Sequence, residues 1–124
     1  MDIQLKRIYE KPSPDDGVRV LIDRLWPRGV PKAEAELDHW EKDAAPSAEL
    51  RKSWHADTDG HSPEHFAAFS AAYRDELASG VAHTAVERLA SIAREEPRLT
   101  LLYGAKDTEI NHAVILKAAV LEAI

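Results

Sequence analysis

The stretch that most constrains the fold is a short apolar run that begins at Val18 and ends at Ile22. Turn-forming residues bound the run on both sides, an Asp-Asp-Gly segment at 15–17 and a Pro-Arg-Gly segment at 27–29. An apolar run of this length, rich in β-branched residues, is typical of a strand buried on both faces, as in parallel sheets. We therefore place a central strand here and expect the rest of the chain to build a sheet around it.

Two further segments have strand character, and helix signals fill the chain between and after the strands. Residues 3–9 alternate between the two sides of a strand, and residues 99–103 are again apolar on both faces. The helices are predicted at 31–37, at 47–54 with Ser47 as N-cap, from Pro63 to Leu77, from a capping box at Thr84 and Glu87, and after a cap at Asp107 or Thr108. The segment around His39 and Trp40 reads as an irregular connection. Short buried strands with intervening helices predict an α/β fold, with a small, mostly parallel sheet flanked by helices in a single layered domain over residues 1–124.

Composition excludes several classes of protein. With 124 residues, 44% of them hydrophobic and 31% charged, the chain has the make-up of one soluble globular domain. It has no cysteine, which excludes disulfides, thiolate metal sites and cysteine nucleophiles. The formal net charge of -6 argues against broad nucleic-acid binding, although a local basic patch stays open. No segment reaches membrane-spanning length, so we expect a cytoplasmic protein without a membrane partner, and the oligomeric state is left open.

Polar side chains follow the central strand and the last strand. They are Asp23, Arg24 and Arg28 after the central strand, and Lys106, Asp107 and Asn111 after the last strand. If the two strands are parallel neighbours, these side chains meet where ligands bind in open α/β sheets, beside the start of the final helix. Arginine and lysine there predict a pocket for a phosphate or carboxylate group. Asp23 and Asp107 are the candidate catalytic acid or base, or holders of a divalent cation.

Aromatic residues accompany these charges. Trp26 or Tyr103 could cover a planar ligand. Arg51, Trp54 and His55 share one helical face and could clamp an anion against a flat group. A purely structural role stays possible for each of these features. An Asp23–Arg pair could tie down a turn over a packed Trp26, Trp54 could be a packed residue flanked by surface charges, and Asp107 could be an ordinary N-cap.

The histidines give a weaker signal. His61 and His65 stand four residues apart, but no glutamate completes an HExxH arrangement and His61 precedes the predicted helix. We therefore predict no metal site and assign no cofactor. His112 directly follows Asn111, and we expect it to face solvent rather than act as a base.

A set of motifs covering nearly the whole chain resembles the DUF488 family, in its short YeaO-like branch. The motifs are RVLIDRLWPRG at 19–29, the segment from Trp40 and Lys42 through Ala45-Pro46-Ser47 and Arg51 to Trp54, Phe66 with Tyr73, Glu76 and Leu77, and LTLLY at 99–103 followed by Ala105-Lys106-Asp107, Asn111 and Ala113. The resemblance implies a compact single-domain α/β fold and gives no mechanism. It also marks as motif positions Asp23, Arg24, Trp26, Pro27, Arg28, Gly29, Lys42, Ser47, Arg51, Trp54, Tyr103, Lys106, Asp107 and Asn111.

Two functions compete at this point. The chain could be an enzyme acting on a small phosphate- or carboxylate-bearing molecule or nucleotide, with Arg24, Arg28, Arg51 and Lys106 holding the anion. It could instead be a non-catalytic binding module for an anionic ligand, for nucleic acid or for a protein partner. No serine elbow or phosphate loop supports the enzyme. For the binding module, the mixture of arginine and tryptophan could bind phosphates and stack bases. Of the two functions, we favour the enzyme at this point.

Overall fold

The computed structural model describes residues 2–124, so Met1 of the predicted domain lies outside the described residues. Its centre is a sheet of four parallel strands in the order β1-β4-β2-β3. The strands are β1 (Ile3–Arg7), β2 (Val18–Leu21), β3 (His39–Trp40) and β4 (Leu99–Tyr103). The predicted neighbours β2 and β4 do pair in parallel, with Leu21 opposite Leu102. Their carboxyl ends therefore open on the same edge of the sheet, which positions the site.

The strand β3 corrects the expectation of an irregular connection. His39 and Trp40 pair with Val20 and Leu21 of β2, and two pairs complete the ladder. A strand of two residues has no periodicity that a sequence pattern could show. Its backbone contacts with β2 create it, rather than a local preference for extended structure.

Five α-helices cover the sheet in the described part of the chain. They are α1 (Lys32–Ala35), α2 (Ala48–Ala56), α3 (Pro63–Leu77), α4 (Gly80–Glu95) and α5 (His112–Ala123). The larger core lies between one face of the sheet and α3, α4 and α5, and its most buried large side chains include Tyr73, Leu89 and Leu116. A smaller cluster of Ile8, Leu21, Ala35 and Leu102 fills the other face, under α1 and the loop before it. None of the helices in residues 2–124 is long and apolar enough to cross a membrane.

Two predicted helix starts are confirmed and two are wrong. Ser47 caps α2 and Ser62 caps α3, each by accepting a backbone N–H bond three residues on. The predicted capping box at Thr84 is wrong because α4 begins at Gly80, so Thr84 lies inside the first turns and its hydroxyl donates to the carbonyl of Gly80. The last helix is capped by Asn111 rather than by Asp107 or Thr108.

A buried ion pair interrupts the apolar character of β2. Arg19 is only 5% exposed, and its guanidinium donates to Asp16 at 2.5 Å and to the carbonyl of Ala35 at 2.8 Å. Asp16 also accepts from the ammonium of Lys6 and from the backbone N–H of Ser13. This network ties the loop before β2 to the smaller face of the sheet, away from the larger core.

Candidate functional site

A cavity of about 370 Å³ opens at the carboxyl ends of β2 and β4. Its wall is built from the loop after β2, the segment before α2, the inner face of α2 and the start of α5. The residues that line it are Tyr9, Asp23, Arg24, Leu25, Trp26, Pro27, Arg28, Ala45, Pro46, Arg51, Trp54, His55, Phe69, Gly104, Ala105, Asn111 and His112. The strand ends thus form one concave surface with α2 (Ala48–Ala56), which lies between β2 and β4 in the sequence.

One wall is the segment at residues 44–47, which runs from the end of a 3-10 turn (Lys42–Ala44) to the N-cap of α2. Side chains of α3 and of the loop after β2 hold it in place. Tyr73 of α3 donates its hydroxyl proton to the carbonyl of Ala44. Burial raises the pKa of Tyr73 well above its ordinary value, so this hydroxyl stays a donor. Arg24 donates from Nε to the carbonyl of Pro46 at 3.0 Å and from Nη2 to the carbonyl of Ala45 at 3.2 Å.

The end of the same segment is anchored by Glu76 of α3. Its carboxylate accepts from the backbone N–H of Ser47 at 2.8 Å and from the Ser47 hydroxyl at 2.6 Å. The Ser47 oxygen in turn accepts from the backbone N–H of Leu50 and caps α2. The motif serine, tyrosine and glutamate therefore fix the wall and the start of α2, which carries Arg51 into the cavity.

Asp23 is held at the floor of the cavity by backbone contacts. Its Oδ2 accepts from the backbone N–H of Gly104 at 2.9 Å, and its own carbonyl accepts from the indole N–H of Trp40 at 2.7 Å. A Cβ atom on Gly104 would lie 2.9 Å from Oδ2, so glycine permits this close approach. Oδ1 is buried and has no hydrogen-bond partner among the described residues. Burial raises the pKa of Asp23, while His112 and the Gly104 N–H act in the opposite direction.

His112 faces inward, which corrects the expectation that it points to solvent. Its Nε2 lies 3.0 Å from the carbonyl of Ile22 and 3.3 Å from Oδ1 of Asp23, and its side chain is only 13% exposed. As the first residue of α5 it stands directly over the end of β2. Burial lowers the pKa of His112, although Asp23 and the Ile22 carbonyl favour the charged form. The alternative in which Asp23 pairs with an arginine is therefore wrong, because Asp23 pairs with His112.

The face of α2 that was predicted to hold Arg51, Trp54 and His55 does line the cavity. Trp54 stacks on Phe69 with ring centroids 3.9 Å apart, and its indole N–H donates to the carbonyl of Gly60 at 2.9 Å. Trp54 is thus a packed residue that also lines the cavity. The Nε of Arg51 is buried without a hydrogen-bond partner among the described residues.

Trp26 and Arg28 form the outer wall of the cavity. Trp26 meets Trp40 edge-on at a centroid distance of 5.3 Å, and its indole N–H donates to the carbonyl of Val30. The carbonyl of Arg28 accepts from the hydroxyl of Tyr9, and Gly29 follows with a φ of +75°. The turn is therefore held by side chains that donate to its carbonyl groups, and Arg28 lines the cavity.

Three of the predicted site residues do not line this cavity. Tyr103 is buried in the larger core and only 3% exposed, because it is the last residue of β4 on the core face. Lys106 is exposed on the following turn. Asp107 accepts from the backbone N–H groups of Glu109 and Ile110, and these bonds lower its pKa. The ligand-binding and catalytic roles assigned to these three residues stay predictions.

The two histidines that were weighed as a metal pair each contact a different aspartate. His61 lies 3.1 Å from Asp107, and His65 lies 2.6 Å from Asp57. Within residues 2–124, no three His, Asp or Glu side chains are grouped so that they could hold a metal ion.

The cavity offers acid–base groups but few nucleophiles. Of the described residues that line it, none is serine, threonine, cysteine or lysine. The polar side chains that remain are Asp23, His55, His112, Asn111, three arginines and Tyr9, whose hydroxyl donates to the carbonyl of Arg28. Asn111 is fully buried and its amide is engaged in capping α5 and in donating to the carbonyl of Asp107. This arrangement suits anion binding, and it suits proton transfer better than covalent catalysis.

Comparison with known proteins gives a consistent family. The chain is 46% identical over 116 residues to the protein named Uncharacterized protein YeaO of Escherichia coli (strain K12), covering 94% of each chain. It is 36% identical over 114 residues to Uncharacterized protein Rv3073c of Mycobacterium tuberculosis (strain ATCC 25618 / H37Rv), covering 92% of this chain and 89% of that one. No solved structure gives a significant match. The model of a family described as "Inactive DUF488-N3 subclade" matches residues 2–124, and the chain therefore belongs to the DUF488 family.

Proposed function

We propose that the chain binds a small organic anion in the cavity at the strand ends and does not turn it over. The observation that carries this proposal is that Arg24, Arg28 and Arg51 line one cavity while none of them pairs with a carboxylate of residues 2–124. Ion pairs elsewhere in the described chain engage Lys6, Arg19, Arg74, Arg88 and Arg98. None of these pairs involves an arginine of the cavity, so the guanidinium charge there is available to a ligand.

The local charge supports an anion. The bonds that Arg24 makes go to neutral carbonyl oxygens, so they orient its guanidinium without cancelling its charge. Asp23 is the one carboxylate among the described lining residues, and one of its oxygens is occupied by Gly104. The cavity is therefore a positive region in a chain whose formal net charge is -6. A positive concave region of this kind concentrates anionic ligands.

The walls support an organic anion rather than a bare inorganic ion. Leu25, Pro27, Pro46 and Phe69 line the cavity together with two tryptophans. A volume of about 370 Å³ lies within the range of small-molecule sites, which are mostly apolar with a few polar groups that fix orientation. The apolar part of an organic ligand would bury this surface, whereas inorganic phosphate would leave it exposed to water.

Two observations favour binding without turnover. The described lining residues include no hydroxyl, thiol or amine side chain of the usual nucleophiles, tyrosine apart. The matching family is described by its own model as inactive. We accordingly place the binding module ahead of the enzyme.

Isothermal titration with benzoate, phenyl phosphate and inorganic phosphate tests the proposal. We expect measurable binding of at least one aromatic anion, and we expect Arg51→Gln to weaken it by about tenfold or more, since hydrogen bonds to charged groups contribute about 1.5–3 kcal/mol. Arg94→Gln is the matched control, because Arg94 is an exposed arginine that donates to the carbonyl of Ala123 and does not line the cavity. Equal affinities in the two variants would overturn the proposal, as would the absence of binding to all three probes.

Nucleic acid and protein partners are alternative sources of negative charge. The acidic net charge argues against a broad phosphate-binding surface. Binding to single-stranded DNA and RNA, titrated with salt, separates the cases. A steep salt dependence that is removed by Arg51→Gln would replace the small-molecule proposal with a nucleic-acid one.

A second candidate, an acid–base enzyme, rests on the Asp23–His112 pair. A buried imidazole beside a carboxylate within a cavity is a common arrangement of a general base. A turnover screen over phosphoesters, carboxylic esters and nucleotides tests this candidate. Turnover that is lost in Asp23→Asn would establish it, and turnover that is unchanged in that variant would remove Asp23 from the chemistry.

A further inference from the structure

We propose that the ligand of this cavity is an aromatic acid whose ring carries an N–H group, and that this N–H donates to Nδ1 of His112. The inference rests on the proposed function and narrows the class of ligand. It makes His112 the residue that selects among aromatic anions, while the arginines bind the acid group.

The protonation of His112 follows from its partners. Nε2 lies 3.0 Å from the carbonyl oxygen of Ile22, which can only accept a hydrogen bond, so the proton of the neutral ring is on Nε2. The neighbouring Oδ1 of Asp23, at 3.3 Å, is also an acceptor and favours the same tautomer. Burial lowers the pKa of His112, which keeps the ring neutral near pH 7. Nδ1 is therefore a hydrogen-bond acceptor.

Nδ1 of His112 has no hydrogen-bond partner among residues 2–124. It is not among the side-chain atoms that are both buried and unpartnered. It therefore keeps some solvent-accessible surface on a side chain that is only 13% exposed. Since His112 lines the cavity, we place this surface on the cavity floor. An acceptor at the floor of a largely apolar cavity loses water when a ligand enters, so a ligand with a matching donor is favoured over one without it.

The arginines that line the cavity disfavour a ligand whose N–H group belongs to a cation. Asp23 at the end of β2 is the acidic neighbour of His112, and the guanidinium groups of Arg24 and Arg51 belong to the same cavity lining. The ring of Tyr73 on α3 meets the imidazole edge-on at 6.1 Å. A neutral N–H on an aromatic ring satisfies the acceptor, and the flat ring packs along the Trp54 and Phe69 wall.

Matched pairs of probes test this inference. Indole-3-carboxylate is compared with 1-methylindole-3-carboxylate, and orotate with its ring N-methylated derivatives, by isothermal titration against the full chain. We expect the N–H member of at least one pair to bind about tenfold or more tightly than the methylated member. In His112→Phe the ratio of the two affinities within each pair should fall to about one, whatever the change in the affinity for benzoate.

A second measurement uses the unaltered protein, since His112→Phe removes buried contacts and could impair folding. Long-range ¹H–¹⁵N correlation spectra report the Nδ1 resonance of His112 directly. We expect this resonance to shift when the N–H acid is added and to stay in place with the methylated acid. Equal affinity within every pair, or an Nδ1 resonance that does not respond, overturns the inference while leaving anion binding intact. Failure of every aromatic acid to bind overturns the proposed function as well.

Discussion

Asp16→Asn is the substitution whose effect on the fold the structure defines best. The carboxylate of Asp16 lies 2.5 Å from a guanidinium nitrogen of Arg19 and 3.0 Å from the ammonium of Lys6, and it also accepts from the backbone N–H of Ser13. Asp16 is 7% exposed and Arg19 is 5% exposed. Replacing the carboxylate with an amide keeps the size of the side chain but leaves the buried charge of Arg19 without its counter-charge.

The expected cost is about 3–5 kcal/mol, the range for removing one partner of a buried ion pair. We expect a cost in the lower part of this range, because Arg19 keeps its hydrogen bonds to the carbonyls of Ala35 and Glu36. A small domain has about 5–15 kcal/mol of stability in all, so the variant should unfold at a clearly lower urea concentration with an unchanged m-value. Asp75→Asn is the matched control, since Asp75 is exposed on α3.

The same network predicts a pH dependence. Burial favours the neutral form of Asp16, but hydrogen bonds from Ser13, Lys6 and Arg19 outweigh it and hold the pKa below the ordinary value of 3.8. The unfolded chain therefore takes up this proton at a higher pH than the folded chain does. The stabilising contribution is complete above about 3.8 and is lost as the pH falls through the lower folded-state pKa. The gap in unfolding free energy between the wild-type chain and Asp16→Asn should narrow below pH 3.8. A gap that is the same at pH 7 and pH 2.5, or an Asp16→Asn variant as stable as Asp75→Asn, would refute the reasoning.

Three further predictions concern the backbone and the cavity rim. Gly17→Ala should cost about 3 kcal/mol or more in a urea melt, because Gly17 has a φ of +65° and a Cβ there would lie 2.3 Å from the carbonyl oxygen of Arg98. Tyr73→Phe should cost about 1–3 kcal/mol in thermal unfolding, because it leaves the buried carbonyl of Ala44 without a donor. Lys106→Gln should change the affinity for an aromatic anion less than twofold by isothermal titration, and a loss as large as that of Arg51→Gln would restore the predicted role of Lys106.

The fold was predictable where a run of apolar residues is long enough to identify a buried strand. The apolar runs at β2 and β4 are each long enough to show burial on both faces, and they pair as expected. The start of α4 was not predictable from its caps, because a serine and a glycine at 79 and 80 look like the end of the preceding helix. A turn of two residues between α3 and α4 therefore has the same kind of sequence as a longer loop between two helices.

The candidate site was predictable as far as backbone direction decides it. Parallel strands bring Asp23 and Gly104 to one edge, and helical spacing brings Arg51 and Trp54 to one face. The direction of single side chains on turns is decided by tertiary contacts, so Lys106 and His112 could not be assigned from the sequence. A buried carbonyl at Ile22 that needs a donor turns His112 inward, and no pattern in the sequence shows that need.

The contacts of the motif residues also decide which arginine gives the clearest test of binding. Arg24 both lines the cavity and holds the carbonyls of Ala45 and Pro46, so a substitution there would move the wall and remove a charge together. Arg51 makes no hydrogen bond from its Nε and stands on a helix whose start is fixed by Ser47 and Glu76 instead. A loss of affinity in Arg51→Gln, with stability unchanged, would therefore report on the ligand contact itself. The same loss in an Arg24 variant would not distinguish a lost contact from a displaced wall.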